Sequence, residues 1–389
     1  MKNVRLGVVG VGAMGSFHAS SVMEQKVGRC ELTAVCDVNP AALAKFDDKI
    51  LKFGKSGELI RSGACDAVLI ATPHYGHTTI GIDVLEQGLH LLVEKPVSVH
   101  KADCDRLTAA HRGKRQVFAA MFNQRTDPHY RKVKQLIDSG QLGELVRVSW
   151  IVTSWFRTDA YYASGGWRAT WAGEGGGVLL NQCPHQLDLL QWLCGMPVKV
   201  CGFCGLGKRH SIEVEDEVTA YLEYANGATG VFVTSTGEAP GTNRLEIAGD
   251  LGKVVVENNK ISFTRNESSA RAFCRTAEGL FASPDVWNVE IPANGFGGQH
   301  VEVLQNFINA ILDGAALIAP AREGARSVEL ANAMLYSSLM GRAVDLPLDG
   351  RAYERVLKKL VAISGKKKIG RKAGPVTYDV SGSFRGTQK

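Results

Sequence analysis

The sequence predicts an α/β protein in two parts: an N-terminal doubly wound domain on a parallel sheet, then an α+β domain with one large open mixed sheet. Three observations carry this. Strand and helix patterns alternate through the first 122 residues, as a parallel sheet covered on both faces requires. Gly10, Gly12 and Gly15 stand in G-x-G-x-x-G spacing between the first strand and a helix. After about residue 140 the pattern changes to short neighbouring strands, divided by turns such as Ala225-Asn226-Gly227 and Asp250-Leu251-Gly252. The expected divisions are 1–123, 124–363 and a basic tail at 364–389.

The first strand, 4–9, carries Leu6, Val8 and Val9 and reads as buried. Gly10 permits a tight turn out of it. Gly12 lets the backbone approach a pyrophosphate, and Gly15 lets the helix pack close to the sheet. Ala13 and Met14 then fall in the first helical turn, whose N–H groups face phosphate charge. A strand at 32–36 ends in Asp37, about 20 residues on, where an acid binds an adenosine ribose. Val38, Asn39 and Pro40 offer no cation for a 2′-phosphate, so the expected cofactor is NAD rather than NADP.

Further strands are expected at 67–71, 90–93 and 116–121, with helices at 76–87 and 101–112 between them. Ligands of such sheets bind beyond the carboxyl ends of the strands. Thr72, Pro73, His74 and His77 follow one strand, and Glu94 and Lys95 the next, so both groups belong beside the glycine loop. A lysine there can hold a substrate hydroxyl and favour its ionised form.

A helix at 128–139 ends at Gly140. Strands are expected at 146–152, 218–224, 229–235, 244–248, 253–257 and 260–264, and helices at 177–193, 298–313 and 321–341. In the 177–193 helix, Asn181, His185 and Asp188 are spaced i, i+4, i+7 and share one face. The loop before it holds Trp155, Phe156, Tyr161, Tyr162, Trp167 and Trp171, interleaved with Arg157, Asp159 and Arg168. Aromatic faces with planar donors between them suit sugar rings.

The totals are those of a soluble globular chain: 389 residues, 45% hydrophobic and 22% charged. No apolar run reaches the ~18 residues of a membrane span. The N-terminus runs straight into a strand without a signal-peptide layout, so a cytoplasmic location is expected. Nine scattered cysteines argue against a disulfide framework, and Cys201 and Cys204 lack the second pair a zinc site needs, so no metal is expected. The net charge of +6 owes much to the tail, read as a solvated end rather than a nucleic-acid contact. An uncovered apolar sheet face would be a liability in a monomer, so a homodimer or homotetramer is expected.

Together these residues resemble the glucose–fructose oxidoreductase / inositol dehydrogenase (Gfo/Idh/MocA) family, over residue 4 to about 343. The carriers are GVGAMG at 10–15, the Ala71-to-His77 segment, Glu94-Lys95-Pro96, residues 123–125 and GGGVLLNQCPHQLDLLQWLCG at 175–195. The resemblance implies a Rossmann domain binding NAD, with Asn123 at the cofactor and Lys95 and His185 as the catalytic pair. It implies a sugar, glycoside or inositol-like polyol oxidised at a ring hydroxyl, held by Lys95, Arg157, Tyr161, Trp167, Arg168, Asn181 and His185. Two other outcomes are compatible with it: a glycosidase using transient oxidation by bound NAD, and a sensor that binds NAD and sugar without turnover. Many members carry an aspartate four residues before the histidine. Here that residue is Asn181, and an amide does not relay a proton as a carboxylate does.

Overall fold

A computed structural model describes residues 3–113 and 115–365, and the basic tail beyond lies outside the described residues. The first part consists of β1 (Val4–Val9), α1 (Ala13–Met23), β2 (Cys30–Cys36), α2 (Pro40–Leu43), β3 (Leu51–Phe53), α3 (Ser56–Arg61), β4 (Ala67–Ile70), α4 (His74–Glu86), β5 (His90–Val93), α5 (Lys101–Ala110) and β6 (Phe118–Ala120). The six strands are parallel, in the order β3-β2-β1-β4-β5-β6. Strand order reverses between β1 and β4, which opens the crevice where such sheets hold ligands. The central strands are apolar along their length because helices cover both faces; Val8, Leu69 and Leu92 are fully buried.

A short 3-10 turn (Asn123–Thr126) leads into the second part. It holds α6 (Pro128–Asp138), β7 (Leu145–Val152), α7 (Asp159–Ala163), α8 (Pro184–Cys194), β8 (Lys199–Leu206), β9 (Glu215–Glu223), β10 (Thr229–Ser235), β11 (Asn243–Gly249), β12 (Gly252–Glu257), β13 (Lys260–Asn266), α9 (Ala270–Thr276), β14 (Val286–Ile291), α10 (Gln299–Asp313), α11 (Ala321–Met340), β15 (Val344–Asp345) and α12 (Gly350–Ile363). Nine strands form one sheet in the order β14-β13-β12-β11-β7-β10-β9-β8-β15. Only β7 and β10 pair in parallel, which makes the sheet mixed.

Helix α11 packs on one face of this sheet at β8, and α8 packs against α11. Gly202 lets α11 sit directly on β8, since a Cβ there would come within 2.2 Å of the Met334 carbonyl oxygen. Among the described residues, no helix covers the opposite face. Phe203, Tyr221 and Val231 project from it, with Tyr221 opposite Cys201 on one side and Val231 on the other.

Cys201 and Cys204 lie inside β8, and three residues of a strand put them on opposite faces. The helix expected over 177–193 begins only at Pro184. Proline lacks an N–H and suits a first turn, whereas inside a helix it removes a hydrogen bond and clashes with the preceding turn. Residues 177–183 are instead pinned as turns: the Gly177 and Leu179 amides donate to the Glu215 carboxylate at 2.8 and 3.1 Å. Helix α10 lies beyond the division at 123 yet packs on the first part. Its Val303, Leu304, Phe307 and Ile308 pack into the core of the first sheet with Val4, Leu6 and Val8. Burial of such side chains contributes roughly 1.5–3 kcal/mol each.

Among the described residues, no helix is long and apolar enough to cross a membrane. No group of His, Cys, Asp or Glu among them is arranged to hold a metal ion.

Candidate active site

The glycine loop separates what the chain needs from what a ligand needs. A Cβ on Gly10, which sits at φ 86°, would lie 2.8 Å from the Ala71 backbone, and one on Gly15 would lie 1.7 Å from the Gly10 carbonyl oxygen. Packing within the protein therefore demands both glycines. A Cβ on Gly12 would meet no protein atom within 4 Å. Gly12 is the N-cap of α1 and no side chain caps the helix, so the amides of the first turn, at Ala13 and Met14, remain available to an anion. Asp37 closes the cradle. Its carboxylate accepts from the Val11 amide at 2.9 Å and the Asn39 amide at 2.8 Å, which fixes it beside the loop.

The residues after β4 and β5 divide by role. Thr72 and Pro73 edge the crevice. His77 is fully buried, with Nδ1 2.8 Å from the Pro96 carbonyl oxygen and Nε2 2.8 Å from that of Thr72. Both ring nitrogens face carbonyl oxygens, so the ring braces one loop against the other. His74 places Nδ1 3.2 Å from the Glu174 carbonyl oxygen and its ring against Trp167, linking the first part to the second. Glu94 is also internal: Oε1 lies 2.7 Å from His18 Nε2. Burial pushes its carboxyl up, but His18, His300 and Lys95 outweigh that and hold it at about 2. His74, His77 and Glu94, expected at the cofactor, thus each also make contacts within the chain. For Asn123, Nδ2 donates to Gln299 at 2.6 Å while its buried Oδ1 has no partner among the described residues.

Lys95 follows β5, half-buried, and donates from Nζ to the Asn181 carbonyl oxygen at 2.9 Å. Burial lowers its pKa, Glu94 and Glu174 oppose that, and Arg168 and Arg157 add to it. His185 is the second residue of α8. It is buried, its ring meets Phe122 edge-on, and Nδ1 has no partner among the described residues. Burial, with Lys95 and His300 adding, holds it well below the ordinary histidine value, so it is neutral at pH 7.

The aromatic loop joins this pair. Tyr161 Oη accepts from Arg168 Nη1 at 2.9 Å and Gln182 Nε2 at 3.1 Å. The Arg168 guanidinium lies 4.8 Å from the Tyr161 and Trp167 ring centres, and that of Arg157 lies 5.1 Å from Tyr161. Trp155, Tyr162 and Trp171 are instead buried core. Asp188 separates from Asn181 and His185: it takes Arg125 in two 2.7 Å hydrogen bonds, away from Lys95. Four groups escaped the sequence reading, namely His18, Glu174, Glu215 and His300: His18 and Glu215 meet partners 76 and 38 residues away, and Glu174 meets Ala169 and Asn181 only through turns that no periodicity marks. Only Glu174 had a local signal, standing directly before the glycine run.

Residues 4–122 match the oxidoreductase family model with an NAD-binding Rossmann fold, and residues 130–255 match the GFO/IDH/MocA C-terminal domain model. Together these span well over half of the chain. The levoglucosan dehydrogenase of Pseudarthrobacter phenanthrenivorans is 24% identical over 89% of this chain and 99% of its own. Inositol 2-dehydrogenase 1 of Saccharopolyspora erythraea is 25% identical over 89% and 97%. The WlbA dehydrogenase of Chromobacterium violaceum, solved with NADH and UDP-GlcNAcA, is 28% identical with a TM-score of 0.77, over 90% of this chain and 97% of that one.

Proposed function

Because the chain belongs to the Gfo/Idh/MocA family of NAD-dependent sugar and polyol dehydrogenases, we propose that it oxidises a ring hydroxyl of a sugar, glycoside or inositol-like polyol to a ketone, with Lys95 and His185 handling the proton. One observation carries this reading. The Lys95 ammonium meets the Asn181 carbonyl, four residues before a neutral buried histidine, at the edge of a cradle whose middle glycine faces open space.

Gly10, Gly12, Ala13, Met14, Gly15 and Asp37 hold the pyrophosphate and adenosine ribose of NAD, and Thr72, Pro73 and Asn123 line its path toward Lys95. Bound NAD supplies the hydride acceptor. His185 takes the hydroxyl proton, and Lys95 stabilises the alkoxide that forms, so each turnover yields ketone, NADH and one proton. Tyr161 and Trp167 offer ring faces to the sugar, while Arg157, Arg168 and Asn181 meet its hydroxyls. The names of the relatives, and the nucleotide sugar bound to WlbA, support a carbohydrate-like substrate. The test is absorbance at 340 nm across inositols, monosaccharides, glycosides and uronates. Steady NADH formation with at least one is expected. Sugar release without NADH, or saturable binding with neither, overturns the reading.

Asp37 should set cofactor choice. Catalytic efficiency is expected to favour NAD over NADP, and Asp37→Ala to narrow the ratio about tenfold, as removing a repulsion of about 1–2 kcal/mol predicts. Equal efficiencies in the unaltered enzyme contradict this assignment.

The sheet face that carries Phe203 and Tyr221 supports self-association. Light scattering at micromolar concentration should give two or four times the 41.9 kDa chain mass, and Phe203→Glu with Tyr221→Glu should lower it. A mass near that of one chain excludes the oligomer.

A further inference from the structure

Glu174 is the least explained group near the catalytic pair. It is 2% exposed, and both carboxylate oxygens accept from N–H donors. Oε2 takes the Ala169 amide at 2.7 Å, and Oε1 takes the Asn181 side-chain amide. The Asn181 main-chain carbonyl in turn receives Lys95 Nζ, and its Oδ1 has a long 3.4 Å contact with the Tyr161 hydroxyl. The local backbone is built for this placement. Gly175, at φ 75°, turns so close to the first part that a Cβ would lie 2.1 Å from Val99 Cγ1. That turn aims the preceding side chain inward.

We propose that Glu174 is the positioning residue and counter-charge of Lys95: its carboxylate clamps Asn181, whose carbonyl holds Nζ, and its negative charge balances the half-buried ammonium. The inference rests on the functional reading of Lys95 above.

The ionised form suits this geometry best: both oxygens accept from N–H donors, and a proton on either would weaken the bond it receives and remove the negative charge beside Lys95. Burial pushes the carboxyl up to about 7, although the Ala169 amide, Arg168, Asn181 and Lys95 all pull it down. The charged groups facing it are Lys95, Arg168 and the buried Glu215, which repels it; His74 touches only its main-chain carbonyl, and Arg157 acts on Lys95. As pH falls through about 7 the clamp is lost, whereas His185 loses its base form only at lower pH. Burial pushes Glu215 up to about 7 as well, but it holds the Gly177 and Leu179 amides rather than Asn181, so the acid limb near neutrality is assigned to Glu174.

Two variants test this. Glu174→Gln puts an amide N–H against one of the two donors at every pH. The expected result is a 10- to 100-fold fall in kcat/KM with the neutral acid limb abolished and NAD affinity retained. The double variant Glu174→Gln, Asn181→Asp reverses the pair, so that an amide donates to a carboxylate beside Lys95 again; it should recover at least tenfold of the loss. A readout independent of turnover is the pH dependence of Lys95 acylation by acetic anhydride, followed by peptide mass spectrometry. Its midpoint should fall by about one pH unit in Glu174→Gln, as loss of an opposite charge predicts. An unchanged midpoint, or an unchanged acid limb, overturns the proposal. If the unaltered protein oxidises no sugar but the midpoint shifts, the functional reading fails and the role of Glu174 stands.

Discussion

Replacing Lys95 with alanine should lower kcat by roughly 30- to 1000-fold, the loss expected when a charged hydrogen bond worth about 2–4 kcal/mol in the transition state is removed. The loss should fall on turnover, because the alkoxide carries its charge only as the hydride leaves. NAD affinity should change little, since Asp37 and the first turn of α1 hold the distal half of the cofactor away from Lys95. The pH profile gives a second check. Burial lowers the Lys95 pKa from its ordinary value, so the alkaline limb in the unaltered enzyme should lie below the usual lysine range, and the variant should lose it. Stopped-flow turnover and fluorescence titration with NADH measure the two quantities separately. Near-normal turnover in Lys95→Ala moves the chemistry elsewhere and undoes the Lys95/His185 pair.

The largest stability effect is expected at Asp188. Its carboxylate holds Arg125 by two 2.7 Å hydrogen bonds, both groups are buried, and Arg125 also reaches Glu323 at 2.6 Å and the Ile318 carbonyl at 3.1 Å. The pair ties α8 to the segment after β6 and to the start of α11. Asp188→Ala leaves a buried guanidinium with one half-exposed carboxylate, which costs about 3–5 kcal/mol. The thermal midpoint should fall by roughly 5–10 °C. Replacing both partners with apolar residues, Arg125→Met with Asp188→Leu, should cost less than the single change, because no uncompensated charge remains. A midpoint for Asp188→Ala within about 1 °C of the unaltered protein rules out this account.

The sequence was most legible where periodicity and punctuation agree. β1 and β5 fall on the expected residues, and α10 and α11 within a residue, since apolar patterning and flanking glycines mark their ends. β3 and β14 escaped for opposite reasons. Three residues of β3 are too few to show a period, and β14 is exposed on both faces, so it has no alternation to read. Lys95 and His185 were visible because their flanking motifs are local. Their surroundings were not: the Glu94–His18 pair spans 76 residues, and nothing in the spacing of Glu174 announces Asn181 or Lys95. The i, i+4, i+7 stripe misled because Pro184 starts α8 between Asn181 and His185, leaving Asp188 to the arginine behind the site.

The return of α10 to the first sheet has a consequence for synthesis on the ribosome. The sheet's strands are complete by Ala120, yet the flank of β1 and α1 lacks its cover until Val303 to Ile308 have been made. Translation at about 5–20 residues per second leaves that apolar flank exposed for roughly 10–40 s, with the nine-stranded sheet emerging in the meantime. The cofactor half of the molecule is thus made first and finished late, and a nascent chain must shelter Leu6 and its neighbours throughout the interval.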